Sequence, residues 1–360
     1  MLGNPANPSK RFKLYLMSPD CQITTGNFEG EFEYIFLENE KLGLKILVDK
    51  GADVIGIIYK PFGVDLVWIT EKGLPQKKFS RLDYENDFLF TDTYGGGWQS
   101  IFPNGGLPSE LNEIHFAQHD EVALTPWSFE IIESIPERIS VCFEVFTKKL
   151  PFRFTKTFTI ESGSSEISIQ ESVENLCNEE LLTMWGQHIS FGPPFLTAKS
   201  RIILSGNPQV LPHSSQIDPG GRRLKDASEF NWPIGLDTQG SEIDFSFIPK
   251  RGTESELLYI SKFESPAFRI ESPETNLAID YKWDEKIFPY LWYWQEFGKS
   301  TEYPWFGKNF NIGLEPFSSY PTNGISEAVK NNTALQFAPR EKKEANSKLS
   351  ISELQTTRKG

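Results

Sequence analysis

Two short stretches of the sequence place a titratable side chain where proton transfer could occur. The stretch MWGQHISFGPPF, residues 184–195, puts His188 near the end of an apolar run that a Gly-Pro-Pro sequence stops. The stretch IGLEPFSSYP, residues 312–321, puts Glu315 in an apolar strand that we expect Pro316 to end. Desolvation raises the pKa of such a carboxyl group toward the range of a general base. The two groups suit acid–base chemistry; the alternatives are a hydrogen-bonded core histidine and a glutamate on an edge strand.

A second pair of histidines lies in IHFAQHDEVALTPW, residues 114–127. His115 and His119 are four residues apart, a spacing that puts both rings on one face of a helix or strand, as in metal sites. The neighbouring residues show little helical periodicity and offer no obvious third ligand, so we predict no metal. His119, followed by Asp120 and Glu121, suits either a hydrogen-bond donor in a site or a surface histidine beside acids.

The stretch YGGGWQSIFPNGG, residues 94–106, is rich in glycine. No Lys-Ser or Lys-Thr pair follows these glycines, and no strand–helix unit surrounds them, which argues against a phosphate-binding loop. The glycines either let the backbone pass close to Trp98 and a ligand or form turns.

The composition limits the class of protein. The chain has 360 residues and a net charge of −13, which argues against nucleic acid as a partner. Three cysteines without paired spacing are typical of buried thiols in a reducing compartment. The N-terminal apolar run FKLYLM is short and contains Lys13, and no window offers about 20 apolar residues. We therefore expect a cytoplasmic protein without a membrane partner.

Period-two alternation of apolar residues recurs along the chain and predicts β-strands. It is clearest at residues 44–48, 55–59, 139–145, 152–160 and 167–173, and Pro, Gly, Asn and Ser occur frequently between such runs. This pattern favours an all-β protein, a large antiparallel β-sandwich.

Helical periodicity is scarce, apart from one or two turns at residues 326–332, and no repeat or flexible linker divides the chain. We predict a single domain over residues 30–340. Residues 1–29 form an N-terminal extension or the first strands, and residues 341–360 a polar C-terminal strand or a solvated tail.

Aromatic residues make up 14% of the chain, which suits β-structure and surfaces that stack on sugar rings. The tryptophans within the stretches above, or close to them, are candidates for stacking and equally for core packing: Trp98, Trp185 and Trp305. Trp292 and Trp294 share one face of a predicted strand and are expected to pack in the core. Gln295 or Glu296 is expected to face the other way.

Four stretches in this order resemble the aldose 1-epimerase (galactose mutarotase-like) family, in one bacterial branch. They are GGWQSIFPNGG, QHDEVALTPW, MWGQHISFGPPFL and IGLEPFSSYP. The resemblance covers about residues 30 to 340. It implies a large twisted β-sandwich whose concave face binds a monosaccharide. It also implies an isomerase that interconverts α- and β-anomers through ring opening, without a cofactor or a metal.

The positions that match the family's motifs imply roles for three side chains. Glu315 would take the proton from the anomeric hydroxyl, and His188 would protonate the ring oxygen. His119 would hydrogen-bond the sugar and stabilise charge at the ring oxygen. The side chains expected to contact the sugar are Trp98, Gln99, Asn104, Trp185, Gln187 and Trp305. The protein would act as a monomer or a homodimer.

The sequence departs from the family's pattern at several points. Gln187 stands where the branch usually has a histidine, and Asp120 replaces the glycine that follows the motif's first histidine. The family's arginine finds no counterpart in residues 94–106, and its distal aspartate has only two weak candidates, Asp218 and Asp237. These departures keep open a non-catalytic carbohydrate-binding protein on the same fold.

A third possibility is a related enzyme on this fold, such as a sugar-phosphate epimerase. A phosphate group would need a basic residue at the cleft, for which Arg222, Arg223 and Lys308 are candidates. A glycan-cleaving enzyme would need a second carboxyl group near Glu315, and none of the motifs supplies one.

Overall fold

The computed structural model describes residues 20–28, 31–76, 85–217, 219 and 221–355. Residues 1–19 and 29 of the predicted N-terminal segment, and also Asp218, lie outside these ranges. Within them the chain is nearly all β-structure, so the predicted fold class is confirmed. No helix in the described ranges is both long enough and apolar enough to cross a membrane.

Twelve strands of the described chain form the larger sheet. In chain order these are β1 (Gln22–Phe28), β2 (Phe32–Glu38), β3 (Leu42–Leu47), β4 (Val54–Tyr59), β5 (Val64–Asp65), β6 (Trp98–Ile101), β14 (Gly186–Phe191), β16 (Gln209–Pro212), β17 (Phe230–Asn231), β20 (Leu257–Ser261), β23 (Tyr290–Glu296) and β24 (Asn311–Phe317). The order across the sheet is β1-β2-β3-β4-β6-β14-β24-β23-β20-β16-β17, with β5 beside β4. Strands β14, β24 and β23 are therefore central strands.

Eight further strands in the described ranges form the smaller sheet. They are β9 (Ser128–Ile135), β10 (Arg138–Phe146), β11 (Phe152–Glu161), β12 (Glu166–Asn175), β15 (Arg201–Leu204), β21 (Ala267–Ser272), β22 (Leu277–Lys282) and β26 (Lys342–Glu353). Their order is β15-β21-β22-β26-β12-β11-β10-β9. Neighbouring strands in both sheets run antiparallel.

The remaining elements are short. Three two-stranded ladders pair β7 (Ser109–Leu111) with β8 (Ile114–Phe116), β13 (Leu181–Thr183) with β25 (Leu335–Phe337), and β18 (Ile234–Leu236) with β19 (Glu242–Asp244). The α-helices of the described chain are α1 (Leu89–Thr93) and α2 (Ile325–Lys330). Helix α2 lies where helical periodicity predicts it.

The two sheets pack face to face through large apolar side chains. Trp98 on β6 meets Phe158 on β11 and Tyr281 on β22, with ring centroids 6.3 and 5.6 Å apart. Phe154 on β11 lies edge-on to Trp185, 5.4 Å away. Burial of side chains of this size contributes about 2–3 kcal/mol each to folding. The core therefore lies between the sheets, and one face of the larger sheet points away from it.

Two details of the predicted strands are decided by the structure. The strand that contains Glu315 continues through Pro316 to Phe317, so the expectation that proline ends it is wrong. Pro316 pairs with Leu291 of β23, and the pairs of β24 with β14 lie on either side of it, at Gly313 and Phe317. At the C-terminus, residues 342–353 form β26 between β12 and β22.

Candidate active site on the larger sheet

A cavity of about 300 Å³ opens on the face of the larger sheet that points away from the smaller sheet. Its aromatic lining residues are Phe90, Tyr94, Trp292, Trp294 and Trp305. Its polar lining residues are Thr91, Gln118, His119, His188, Glu296, Glu315 and Thr322. An apolar wall with a few convergent polar groups is typical of a small-molecule site.

Strand alternation and register bring His188 and Glu315 together. Gly186 pairs with Phe317 and Ser190 with Gly313, a register that places His188 directly opposite Glu315 on the neighbouring strand. The Nε2 atom of His188 lies 3.6 Å from Oε1 of Glu315. Both side chains are buried, with exposed fractions of 6% and 2%. The two groups that the sequence singles out therefore meet at the base of the cavity.

The carboxyl group of Glu315 is almost completely buried. Its Oε1 atom is buried and has no hydrogen-bond partner among the described residues. Burial raises the pKa of Glu315 well above its ordinary value of 4.5. A Cβ atom on Gly313 would lie 2.1 Å from the same oxygen, so any larger residue at this position would displace the carboxyl group.

His188 is held by its aromatic surroundings and by a contact with a tyrosine hydroxyl. Its Nδ1 atom lies 3.4 Å from Oη of Tyr94. Its ring also packs against Phe90 and Trp294, at centroid distances of 5.5 and 5.7 Å. Burial lowers the pKa of His188 to about 3, so the imidazole is neutral at physiological pH.

His119 comes from a loop that follows β8 and adopts a positive φ of 49°. Its Nδ1 atom accepts a hydrogen bond of 3.1 Å from the backbone N–H of Gly106, and its ring lies 5.3 Å from that of His188. Burial, and secondarily His188, lowers the pKa of His119 well below 6.5. By contrast, His115 is exposed and pairs with Asp87, so the two histidines of this segment do not face one site.

Three side chains expected to contact the sugar instead lie between the sheets. Trp98 is fully buried and donates its indole N–H to Oε1 of Gln187 at 2.7 Å. Gln187 donates in turn to Glu171, 2.5 Å away on the smaller sheet. Trp185 is also fully buried and packs against Phe288. Gln187 precedes His188 on the same strand, so the two side chains necessarily face opposite sides.

Two further side chains expected in the site instead form hydrogen bonds with the backbone around it. Gln99 is fully buried and donates to the carbonyl of Gly96 at 2.8 Å. Asn104 donates to the carbonyl of Ala117 and accepts from the N–H of Ile325, which joins the glycine-rich segment to α2. Neither residue lines the cavity. Only Trp305 among the six predicted contact residues does so.

Strand β23, with the sequence YLWYWQE, contains cavity residues that the sequence does not predict. Trp292, Trp294 and Glu296 all line the cavity, and Gln295 faces the core side. Trp292 packs in the core as expected, and Trp294 packs against it, but both side chains also line the cavity, which the sequence does not predict. Glu296 accepts a hydrogen bond of 2.8 Å from Ser300. Period-two alternation does put these three residues on one face, but alternation alone does not say which face carries the site.

The remaining candidate residues lie away from the cavity. Asp120 pairs with Lys149, and Asp237 accepts hydrogen bonds within its own surface turn. Arg222 pairs with Glu256 at 3.1 Å, and Arg223 donates to Gln295. Neither arginine, nor Lys308, is among the residues that line the cavity.

Comparison with known proteins supports the fold. No protein-family profile matches the chain, and no curated protein sequence matches it. A candidate aldose 1-epimerase from Klebsiella pneumoniae has 15% identity and a TM-score of 0.69, over 92% of this chain and 82% of that one. A galactose mutarotase-like protein from Clostridium acetobutylicum has 17% identity and a TM-score of 0.66, over 94% and 100%. A candidate mutarotase from Salmonella typhimurium has 13% identity and a TM-score of 0.63, over 93% and 95%. The chain therefore has the galactose mutarotase-like β-sandwich fold.

Proposed function

We propose that this protein is an aldose 1-epimerase-like isomerase that interconverts the α and β anomers of a hexose or a related sugar. The observation that carries the proposal is the pairing of Glu315 and His188, 3.6 Å apart, at the base of an aromatic-walled cavity. An acid and a base at this separation can act on two oxygens of one small substrate.

The reaction needs two proton transfers. One group takes the proton of the anomeric hydroxyl while the other protonates the ring oxygen, and the C1–O5 bond breaks to give an open aldehyde. Rotation about C1–C2 presents the other face of the carbonyl, and O5 closes the ring again as both protons return. Glu315 and His188 supply the two proton sites, and His119 hydrogen-bonds the sugar. No redox step or covalent intermediate is required.

The lining of the cavity suits a neutral sugar. Trp294 and Trp305 lie 5.7 Å apart and present aromatic surface to an apolar face of the ring. Glu296 and Glu315 supply the acidic groups, and no lysine or arginine of the described chain lines the cavity. These features favour an unphosphorylated aldose over a sugar phosphate, whose charge would meet carboxyl groups rather than a basic residue.

Two departures from the family's pattern, at Gln187 and Asp120, keep open a protein that binds sugar without catalysis. Neither side chain lines the cavity. Gln187 faces the core, and Asp120 pairs with Lys149. Neither departure changes the side chains that line the cavity, so neither favours sugar binding without catalysis. Binding alone is then an outcome of the experiment below.

The test is the rate of anomer exchange by NMR, with freshly dissolved α-glucose and α-galactose. We expect the wild-type protein to accelerate exchange, and Glu315→Gln and His188→Gln each to lose about 100-fold to 10,000-fold of that acceleration. His115→Gln, which changes an exposed histidine outside the cavity, is the matched control and should retain it. Full activity of Glu315→Gln would refute the mechanism. Sugar binding without wild-type acceleration would indicate a binding protein.

A further inference from the structure

Two exposed aromatic side chains flank the mouth of the cavity. Tyr303 and Phe306 are 58% and 55% exposed, and they are two of the three most exposed large hydrophobic side chains of the described chain. In sequence they enclose Pro304 and Trp305, both of which line the cavity. Their rings lie 6.2 Å apart at an interplanar angle of 74°. An exposed aromatic patch that adjoins a cavity indicates a binding surface.

Contacts from two other segments hold these rings at the mouth. The hydroxyl of Tyr303 donates to Asp92 on α1, a helix that also lines the cavity. The Nζ atom of Lys72 donates to the carbonyl of Pro304 at 3.0 Å. It also lies 5.9 and 5.8 Å from the ring centroids of Tyr303 and Phe306. More than half of each side chain stays exposed with these contacts in place, so both rings can contact a ligand.

The patch is continuous with the aromatic wall of the cavity. The ring of Trp294 lies 5.7 Å from the ring of His188 and 5.7 Å from that of Trp305. Trp305 is half-buried and stands in sequence between Tyr303 and Phe306. Aromatic surface therefore extends from the base of the cavity to solvent. This continuity favours one elongated ligand that occupies both the cavity and the rim.

Anomer exchange determines which end of a sugar enters the cavity first. Glu315 and His188 lie at the base, so C1 and O5 of the sugar must lie there as well. In a pyranose ring C4 lies opposite C1 and so points toward the mouth. A substituent on O4 can therefore leave through the mouth, whereas a substituent on O1 would prevent ring opening.

We propose that Tyr303 and Phe306 form a second sugar subsite, so that the ligand is a reducing disaccharide linked through O4 of its reducing hexose. The reducing ring lies in the cavity and the second ring packs on the two aromatic side chains. This assignment rests on the proposed function for the orientation of the reducing ring. The C–H face of a pyranose is apolar and its hydroxyls are polar, so an exposed aromatic ring can cover the face while the hydroxyls stay in water.

The experiment measures the dissociation constants of glucose, maltose and cellobiose through the change in tryptophan fluorescence. Trp294 and Trp305 line the cavity, so their emission should respond to a bound sugar. The three ligands share a reducing glucose, and the two disaccharides differ only in the linkage to its O4. We expect at least one disaccharide to bind about 3-fold to 10-fold more tightly than glucose. If neither disaccharide binds more tightly than glucose, the proposal is wrong.

Substitutions at the rim test the contact itself. Tyr303→Ala and Phe306→Ala should each raise the Kd of the disaccharide about 3-fold to 10-fold and leave the Kd of glucose within about 2-fold. Tyr303→Phe keeps the ring without the contact to Asp92 and should retain disaccharide binding. Phe247→Ala is the matched control, because Phe247 is 49% exposed and contacts Arg201 of the smaller sheet. An equal loss for glucose and disaccharide would mean that the rim only positions Trp305, and would overturn the subsite.

Binding and catalysis distinguish this subsite from the proposed function. Tighter disaccharide binding that depends on the rim, without anomer exchange, would support the subsite and contradict the isomerase. Anomer exchange of glucose, with rim variants that bind disaccharides as the wild type does, would refute the subsite alone. A wild-type dimer that the double variant Tyr303→Ala, Phe306→Ala separates, with sugar binding unchanged, would assign the rim to contact with a second copy of the chain and overturn the subsite.

Discussion

Replacement of Glu315 by glutamine should stabilise the protein, and the gain should depend on pH. The carboxamide has the shape of the protonated carboxyl group and carries no charge, so it fits the same buried position. The carboxyl group of the wild type is held protonated in the folded state because burial raises its pKa well above 4.5. In the unfolded chain it ionises near that ordinary value. The difference between the two states opposes folding.

The sign and the slope follow from linkage. Below pH 4.5 Glu315 is protonated in both states, so it adds no pH dependence to the free energy of unfolding. Above that pH only the unfolded state ionises, and the wild type loses about 1.4 kcal/mol of stability for each pH unit until the folded-state pKa is reached. The glutamine variant lacks this loss. Its advantage over the wild type should therefore grow by about 2.8 kcal/mol between pH 5 and pH 7, provided that the folded-state pKa exceeds 7.

The assay is urea unfolding of both proteins at intervals of one pH unit from pH 4 to pH 8. The quantity that matters is the difference between variant and wild type, because the contributions of titratable groups that do not contact Glu315 occur in both proteins and cancel. Glu130→Gln, which changes an exposed carboxyl group, is the control and should stay within about 0.5 kcal/mol of the wild type.

A variant that is less stable than the wild type at pH 7, or a difference that does not rise with pH, would refute the argument. Either result would mean that Glu315 is ionised and stabilised in the folded protein. The expected result would mean that burial of this reactive carboxyl group lowers the stability of the protein, as is common at functional sites.

Three further substitutions test the architecture around the site. Gly313→Ala should displace Glu315, whose oxygen would lie 2.1 Å from the new Cβ, and lower kcat for anomer exchange about 100-fold. Lys156→Met should leave the buried Glu171 without its cation, which lies 3.5 Å away. The free energy of unfolding, measured in urea, should fall by about 3–5 kcal/mol. A second change, Glu171→Leu, should restore most of this loss. Gln187→His should cost about 1–3 kcal/mol by breaking buried hydrogen bonds, with an unchanged KM because this side chain faces the core.

Local patterns in the sequence predict much of this protein. Apolar alternation at residues 139–145, 152–160 and 167–173 predicts β10, β11 and β12, because side chains of a strand alternate between two faces whatever the strand pairs with. The chemical character of His188 and Glu315 is also readable from their apolar neighbours. Hydrogen-bonding capacity and the strand period are properties of a few adjacent residues.

The faces of the strands are not readable in this way. Gln187 and His188 are adjacent in β14, so only one of them can line a site on one face of the sheet. The sequence motif contains both residues, so it does not say which of the two lines the site. The same ambiguity affects β23, where Trp292 and Trp294 pack at the core as expected and also line the cavity, which the sequence does not reveal.

The sequence by itself determined the strand-rich fold class and the types of side chain available for proton transfer. Only the tertiary structure decided that His188 stands opposite Glu315, because the register of β14 against β24 joins residues more than one hundred positions apart. It also decided the position of Tyr303 at the mouth of the cavity, which depends on contacts with Asp92 and Lys72 from separate segments. Strand period is a local property of the chain, whereas register and such contacts depend on which distant segments pack together.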